Sequence, residues 1–224
     1  MIERKSVLIL LMALAAPWGD GGGFSLGQGT AVAAALAGGV DVLPARLGGV
    51  IAVSHALAPR LDLVVSLGGG AVTSNIVTLV PTLALRWSAW QSEDQGLSLR
   101  LSVALPLSVL VAQEVAASGN STRAQARIEG VPVELVAAYS ALVGSHVELG
   151  LLLPARIFPT VTGELSYGAG LGARLGVHFS ERWLIALEAT ARLEHTTYAP
   201  AGLAVGAGLF VIPAGQLSLS ARLD

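Results

Sequence analysis

The chain has 224 residues, 53% of them hydrophobic and only 12% charged, where a globular protein carries about 25% charged residues. A net charge of −2 with no basic cluster excludes nucleic acid as a ligand, and the absence of cysteine excludes a disulfide scaffold and any thiolate metal site. Mean hydropathy is +0.69, yet no run reaches the roughly 20 apolar residues of a spanning helix, so strands must carry the apolar character.

The N-terminus reads as a secretion signal. Arg4 and Lys5 form a basic head, Ser6 to Leu14 an apolar run, and Ala13-Leu14-Ala15 a small-residue cleavage pattern. Pro17, Gly19 and Gly21 to Gly23 follow at once and disfavour a helical anchor. Residues 1–15 are therefore expected to be removed, 16–23 to be a linker and 24–224 to form one domain. Lys5 is the sole lysine, so the mature chain would have none, an unusual surface for a water-soluble β-protein.

From Phe24 onward the pattern has period two, which places alternate side chains on opposite faces of a strand. Phe24, Leu26, Val32, Leu36, Val40 and Val42 form the apolar face of the first segment, against Ser25, Gly29, Ala33 and Asp41. Leu61, Leu63, Val65 and Leu67 then oppose Arg60, Asp62, Val64 and Ser66. Val77, Leu79, Leu83, Leu85 and Trp87 oppose Thr78, Thr82, Arg86 and Ser88. The longest case is Leu97 to Val111, where every odd position is Leu or Val and the even ones include Ser98, Arg100, Ser102 and Ser108.

After a polar stretch from Ala112 to Gly130, expected to be a loop, the alternation resumes. Val133, Leu135 and Tyr139 oppose Glu134 and Ser140, and Leu149, Leu151 and Leu153 oppose Glu148, Gly150 and Arg156. Leu165, Tyr167, Leu171, Leu175, Val177 and Phe179 oppose Glu164, Gly168, Gly170, Gly172 and Arg174. Trp183, Ile185, Leu187 and Leu193 oppose Glu188, Arg192 and Glu194. The glycine run around Gly170 lacks a following helix and is read as small inward residues that permit curvature, not a dinucleotide fingerprint.

Segments of this length suit strands crossing a bilayer at a tilt, which takes about 9 to 11 residues. Ala58-Pro59-Arg60, Val143-Gly144-Ser145 and Ser180-Glu181-Arg182 are short turns for one rim, with longer loops on the other. The predicted fold is all-β: a closed antiparallel up-and-down transmembrane barrel of about ten strands, twelve and eight being the neighbouring even counts. The ends leave the count open: Phe24 to Val42 reads as one strand or two, and Leu203 to Leu223 as one strand through Pro213 or two.

Trp87, Trp90, Phe179 and Trp183 fall beside the short turns and read as an interfacial aromatic girdle, with Phe158 and Tyr198 towards the opposite rim. The candidate lumen charges are Arg60, Asp62, Arg86, Arg100, Glu134, Glu148, Arg156, Glu164, Arg174, Glu188 and Arg192, with Glu194 and Arg222 on the same face. Such charges build either a packed ion-pair lattice or the selective wall of a narrow pore.

The four histidines have no metal-ligand spacing, so neither a metal nor a cofactor is expected and no catalytic residue is assigned. Two other functions compete with a structural or porin-like role. One is a soluble lipocalin-like barrel holding an apolar ligand; the other is a surface lipid-modifying hydrolase built on Glu194, His195 and Tyr198.

With these features the chain resembles the small outer-membrane β-barrel proteins of Gram-negative bacteria, the opacity-protein and porin-like groups. The resemblance covers the signal pattern, the alternation over nearly all of residues 24 to 223, and the short turns against longer loops. It implies an outer-membrane location, with the lipid bilayer and the outer-membrane assembly machinery as partners. Such proteins commonly end in an aromatic residue that the machinery reads, whereas this chain ends Ser220-Ala221-Arg222-Leu223-Asp224.

Overall fold

A computed structural model describes residues 23, 24, 26, 28–39, 46–73, 76–116, 119–128, 130–161, 163–196 and 208–223. The expected signal peptide, most of the linker, Val40, Asp41, Val42 and Tyr198 lie outside them. Among the described residues there are twelve strands: β1 (Thr30–Gly39), β2 (Arg46–Ala58), β3 (Leu61–Thr73), β4 (Ile76–Gln91), β5 (Gln95–Ala104), β6 (Leu107–Ala116), β7 (Gly119–Ile128), β8 (Val133–Val143), β9 (Val147–Pro159), β10 (Leu165–His178), β11 (Trp183–Thr196) and β12 (Gly208–Leu223). Every pairing between them is antiparallel, and β1 pairs with both β2 and β12, while β3 pairs with β4, so the sheet closes on itself.

Ten of the strands make the ring, and the other two are continuations of ring strands. β4 pairs β5 from Thr82↔Ala104 downwards and β6 from Leu79↔Leu107 upwards, in one register from Ile76 to Ser88, with a bulge between Ser88 and Trp90. The gap between β5 and β6 is Leu105-Pro106: Leu105 still donates to the Pro81 carbonyl at 2.9 Å, but Pro106 has no N–H to offer. Leu97 to Val111 is thus one line along β4, as its alternation predicts. On the other side β8 pairs β5 and β7 pairs β6, with the join at 129–132. Residues 112–116 and 119–128, expected to lie in a loop, are instead strand, paired as an antiparallel hairpin through Gln113↔Thr122 and neighbouring pairs.

The two ends of the chain also differ in part from expectation. Phe24 to Val42 contributes one strand, beginning at Thr30, and β12 runs without a break through Pro213, opposite Ala191. Phe24 and Leu26 do not continue the outward face of β1. Both are half-buried and line the mouth of the barrel at the short-turn end.

Turns at 59–60, 92–94, 144–146 and 179–182 occupy that end, whereas 40–45, 197–207 and the long hairpin join strands at the other. Gly144 takes φ 67 in its turn, a left-handed conformation that glycine adopts without a Cβ penalty. Following paired neighbours round the ring from Leu223 through Thr30, His55, Leu63, Leu85, Leu101, Leu135, Ala155, Ala169 and Leu193 returns to β12 at Val211, a stagger of 12 residues. In a ten-strand ring such a stagger tilts the strands by about 40°.

Burial follows the alternation. In β5 the odd positions are outward, and Ser98, Ser102 and Ala104 are inward and buried. Outward residues such as Ile51, Leu67, Leu83, Leu171 and Leu187 are half or more exposed, forming a continuous apolar belt. That belt is far larger than the apolar patches of soluble monomers and matches a bilayer. Inside, one wall is small and apolar, with Ala37, Val50, Val80 and Ala104 in contact.

Because the hairpin beyond Leu110↔Gln125 pairs with nothing in the ring, replacing residues 111–124 by an Asn-Gly turn should leave the barrel intact. Refolded into detergent, the shortened chain should keep the heat-dependent gel shift of the full-length protein; loss of that shift would place the hairpin tip inside the folding unit.

Candidate functional site

Among the described residues, chemistry-bearing side chains converge in the lumen. Inward positions of β3, β4, β5, β8, β9, β10 and β11 bring together Asp62, Arg86, Arg100, Glu134, Glu148, Arg156, Arg174, Glu188, Arg192 and Glu194, each between 0 and 5% exposed. Among the described residues these are five guanidinium groups and five carboxylates, so the buried charge sums to zero when all are ionised.

Register places several opposite charges directly across from each other, as Asp62↔Arg86, Glu134↔Arg156 and Arg174↔Glu188. Arg86 donates from Nε and Nη2 to Asp62 Oδ2 at 2.9 and 2.7 Å. Arg174 bridges two acids, reaching Glu148 Oε1 from Nε at 3.1 Å and Glu188 Oε1 from Nη1. Arg192 on β11 reaches over two intervening strands to Glu134 on β8, Nη1 to Oε1 at 3.0 Å, while its Nη2 lies 3.8 Å from Glu194 Oε2. Ser166 donates to the other Glu194 oxygen at 2.9 Å. Arg86 faces Arg100 across β4 and β5, a like-charge contact that Asp62 on one side and Glu134 on the other offset.

Glycines create the space for these side chains. A Cβ on Gly170 would come within 2.8 Å of Arg192 Cγ, one on Gly168 within 3.0 Å of Glu194 Cγ, and one on Gly176 within 3.1 Å of Glu148 Cβ. The nearest atoms to those positions on Gly168 and Gly170 are the Leu193 and Ala191 carbonyl oxygens, so the glycine run lets the backbones of β10 and β11 approach closely, in line with the curvature read from sequence, as well as leaving room for the charges.

Three expected lumen charges lie elsewhere. Arg60 stands exposed in the β2–β3 turn, because β3 begins only at Leu61. Glu164 is half-buried in the 160–164 connection, where its backbone bonds Thr160, and β10 starts one residue later. Arg222 is exposed at the short-turn mouth. Phe158 does lie towards the long-loop rim, but it points inward and is fully buried, with the Arg156 guanidinium 5.2 Å from its ring centre.

The expected girdle residues share one level and one face. Trp87, Trp90, Phe179 and Trp183 are 45 to 62% exposed, outward, at the short-turn end, and Tyr139 joins them with its hydroxyl 3.0 Å from Gln95 Oε1. Glu194 and His195 point to opposite faces, the first into the lumen and the second outward against Tyr167, with ring centres 5.2 Å apart. They cannot share a proton across the strand. No cluster of metal-ligating side chains occurs among the described residues.

No family model matches the chain, and no curated protein matches it. Solved structures similar to it include an outer membrane channel from Pseudomonas putida F1, at 10% identity over 92% of this chain and 99% of that one, with a TM-score of 0.43. The translocator domain of the autotransporter NalP from Neisseria meningitidis is 10% identical over 98% of this chain and 94% of that one, TM-score 0.40. The outer membrane protease OmpT from Escherichia coli is 8% identical over 87% and 94%, TM-score 0.39.

Two outcomes follow from this geometry. Arg192→Met removes the hydrogen bond to buried Glu134, leaving Arg156 across the ladder as its nearest cation, and should cost about 3 kcal/mol of unfolding free energy in detergent, part of which Glu134→Gln in the same chain should restore; equal loss in both variants would show that packing, not charge, dominates. In lipid vesicles of a Trp18→Phe variant, tryptophan emission should be quenched more by lipids brominated near the carbonyls than near the chain ends.

Proposed function

We propose that this chain is an integral outer-membrane protein that acts as a stiff structural barrel, closed to solutes through its lumen, without a catalytic role. The observation that carries this reading is the Arg192–Glu134 pair, which reaches over two strands within a lattice whose ten charged members are all buried. An open diffusion channel needs charges that water reaches; here all five guanidinium groups are buried, and Arg86, Arg174 and Arg192 each bond a carboxylate.

The apolar belt and the girdle support the bilayer as the partner of the outer face, and the assembly machinery would insert it, with no cofactor required. The signal pattern of residues 1–15 supports export to that membrane. A soluble lipocalin-like barrel would have to expose the whole belt to water. A lipid hydrolase built on Glu194 and His195 is disfavoured by their opposite directions.

Planar-bilayer recording tests the closed lumen. The full-length protein should insert without regular conductance steps, whereas a heat-modifiable variant with Glu134, Arg174, Glu188 and Arg192 all changed to alanine should show them. Regular steps from the unaltered protein would replace the structural reading with a narrow channel.

A further inference from the structure

The described residues just before β1 lie inside the barrel mouth and touch several walls of the ring. Gly23 donates its N–H to Ser140 Oγ on β8 at 2.8 Å and lies backbone to backbone against Gly96 of β5. Leu26 donates to Asp62 Oδ2 on β3 at 3.1 Å. Arg222 on β12 donates from Nη2 to the carbonyls of Leu26 and Gln28 at 2.9 and 3.1 Å, and Ala56 of β2 donates to the Gly29 carbonyl at 3.0 Å. These anchors lie on β2, β3, β5, β8 and β12, so the segment spans the opening instead of following one wall.

Its sequence fits that path. A Cβ on Gly96 would stand 2.6 Å from the Gly23 carbonyl oxygen, so the contact admits glycine on both sides. Gly29 takes φ 86, the bend at which the chain leaves the mouth and joins the wall as β1. Phe24 and Leu26 line a cavity of about 330 Å³ together with Gln91, Leu142 and His178, forming a vestibule below the charged lattice.

We propose that Gly23, Phe24, Leu26, Gln28 and Gly29, the described residues before β1, act as a releasable strap that closes the short-turn mouth and controls access to this vestibule. Its fastenings are few and mostly hydrogen bonds, whereas the ring strands it spans are fully laddered, so it can open while the barrel stays folded. Asp62 links the two systems, because Oδ2 takes both the Arg86 guanidinium and the Leu26 N–H. The proposal concerns the mouth, and thiol labelling reads it without conduction; steps from the quadruple-alanine variant would require the strap to open as well.

The chain contains no cysteine, so a single thiol reports access directly. Ser98 is inward and buried, two residues along β5 from Gly96. In the full chain carrying Ser98→Cys, a charged methanethiosulfonate reagent should react slowly. Adding Gly23→Val, which the Gly96 contact cannot accommodate, should raise the rate about tenfold, the factor expected from loss of one or two net hydrogen bonds, and Arg222→Ala should give an intermediate rise. An unchanged heat-dependent gel shift in each variant shows that the ring is folded. Rapid labelling of Ser98→Cys alone overturns the strap as a closure, and equally slow labelling in all three variants assigns the protection to the walls.

Discussion

Within hydrocarbon no water is available to satisfy a backbone N–H or C=O, and that constraint determines most of what this chain does. A helix satisfies it internally, but the chain has no apolar run of that length. The alternative is a sheet without edges, and closure is observed between β1 and β12 and between β3 and β4. Closure with a 12-residue stagger sets the tilt, and the tilt sets how far each strand must run to cross the bilayer. Where prolines at 81 and 106 interrupt donors, the ladder still continues in register on both sides.

Closing the sheet turns one face of every strand towards a narrow interior, and the charges there must be matched. The matching is done by register and by volume together. Asp62, Glu134 and Glu188 face arginines across the ladder, while Gly150, Gly168, Gly170 and Gly176 leave room for side chains that would otherwise collide.

Faces were legible in the sequence and heights were not. Period two predicts which side of β5 is apolar, and it assigns nearly all of the lumen charges, since a one-residue error would move a whole strand to the other face. The ten-strand count came from the even number that a closed antiparallel sheet requires, not from alternation, which left the ends open. Parity also places Phe158 inward, on the same face of β9 as Arg156 and Glu148, although its nearness to the rim favours reading it as interfacial. Strand ends follow from hydrogen bonds between distant residues, which alternation does not report. Arg60, Glu164 and Arg222 carry the inward parity but lie at or beyond the ends of the lumen. The long hairpin was missed because Gly119-Asn120-Ser121-Thr122 in its second strand has no apolar alternation and reads as a turn.

The segment before β1 shows why parity needs a second criterion. Phe24 and Leu26 continue the even-numbered apolar face of β1, and by pattern alone they belong to the belt. Gly29 breaks the strand at a left-handed bend, so the same alternation beyond it describes a segment in the mouth, where apolar side chains fill a cavity instead of meeting lipid. A belt residue needs both the right parity and a strand that pairs on two sides; Phe24 and Leu26 have only the first. The glycines at 23 and 96 supply what the pattern lacks, because two backbones in contact leave no room for a side chain between them.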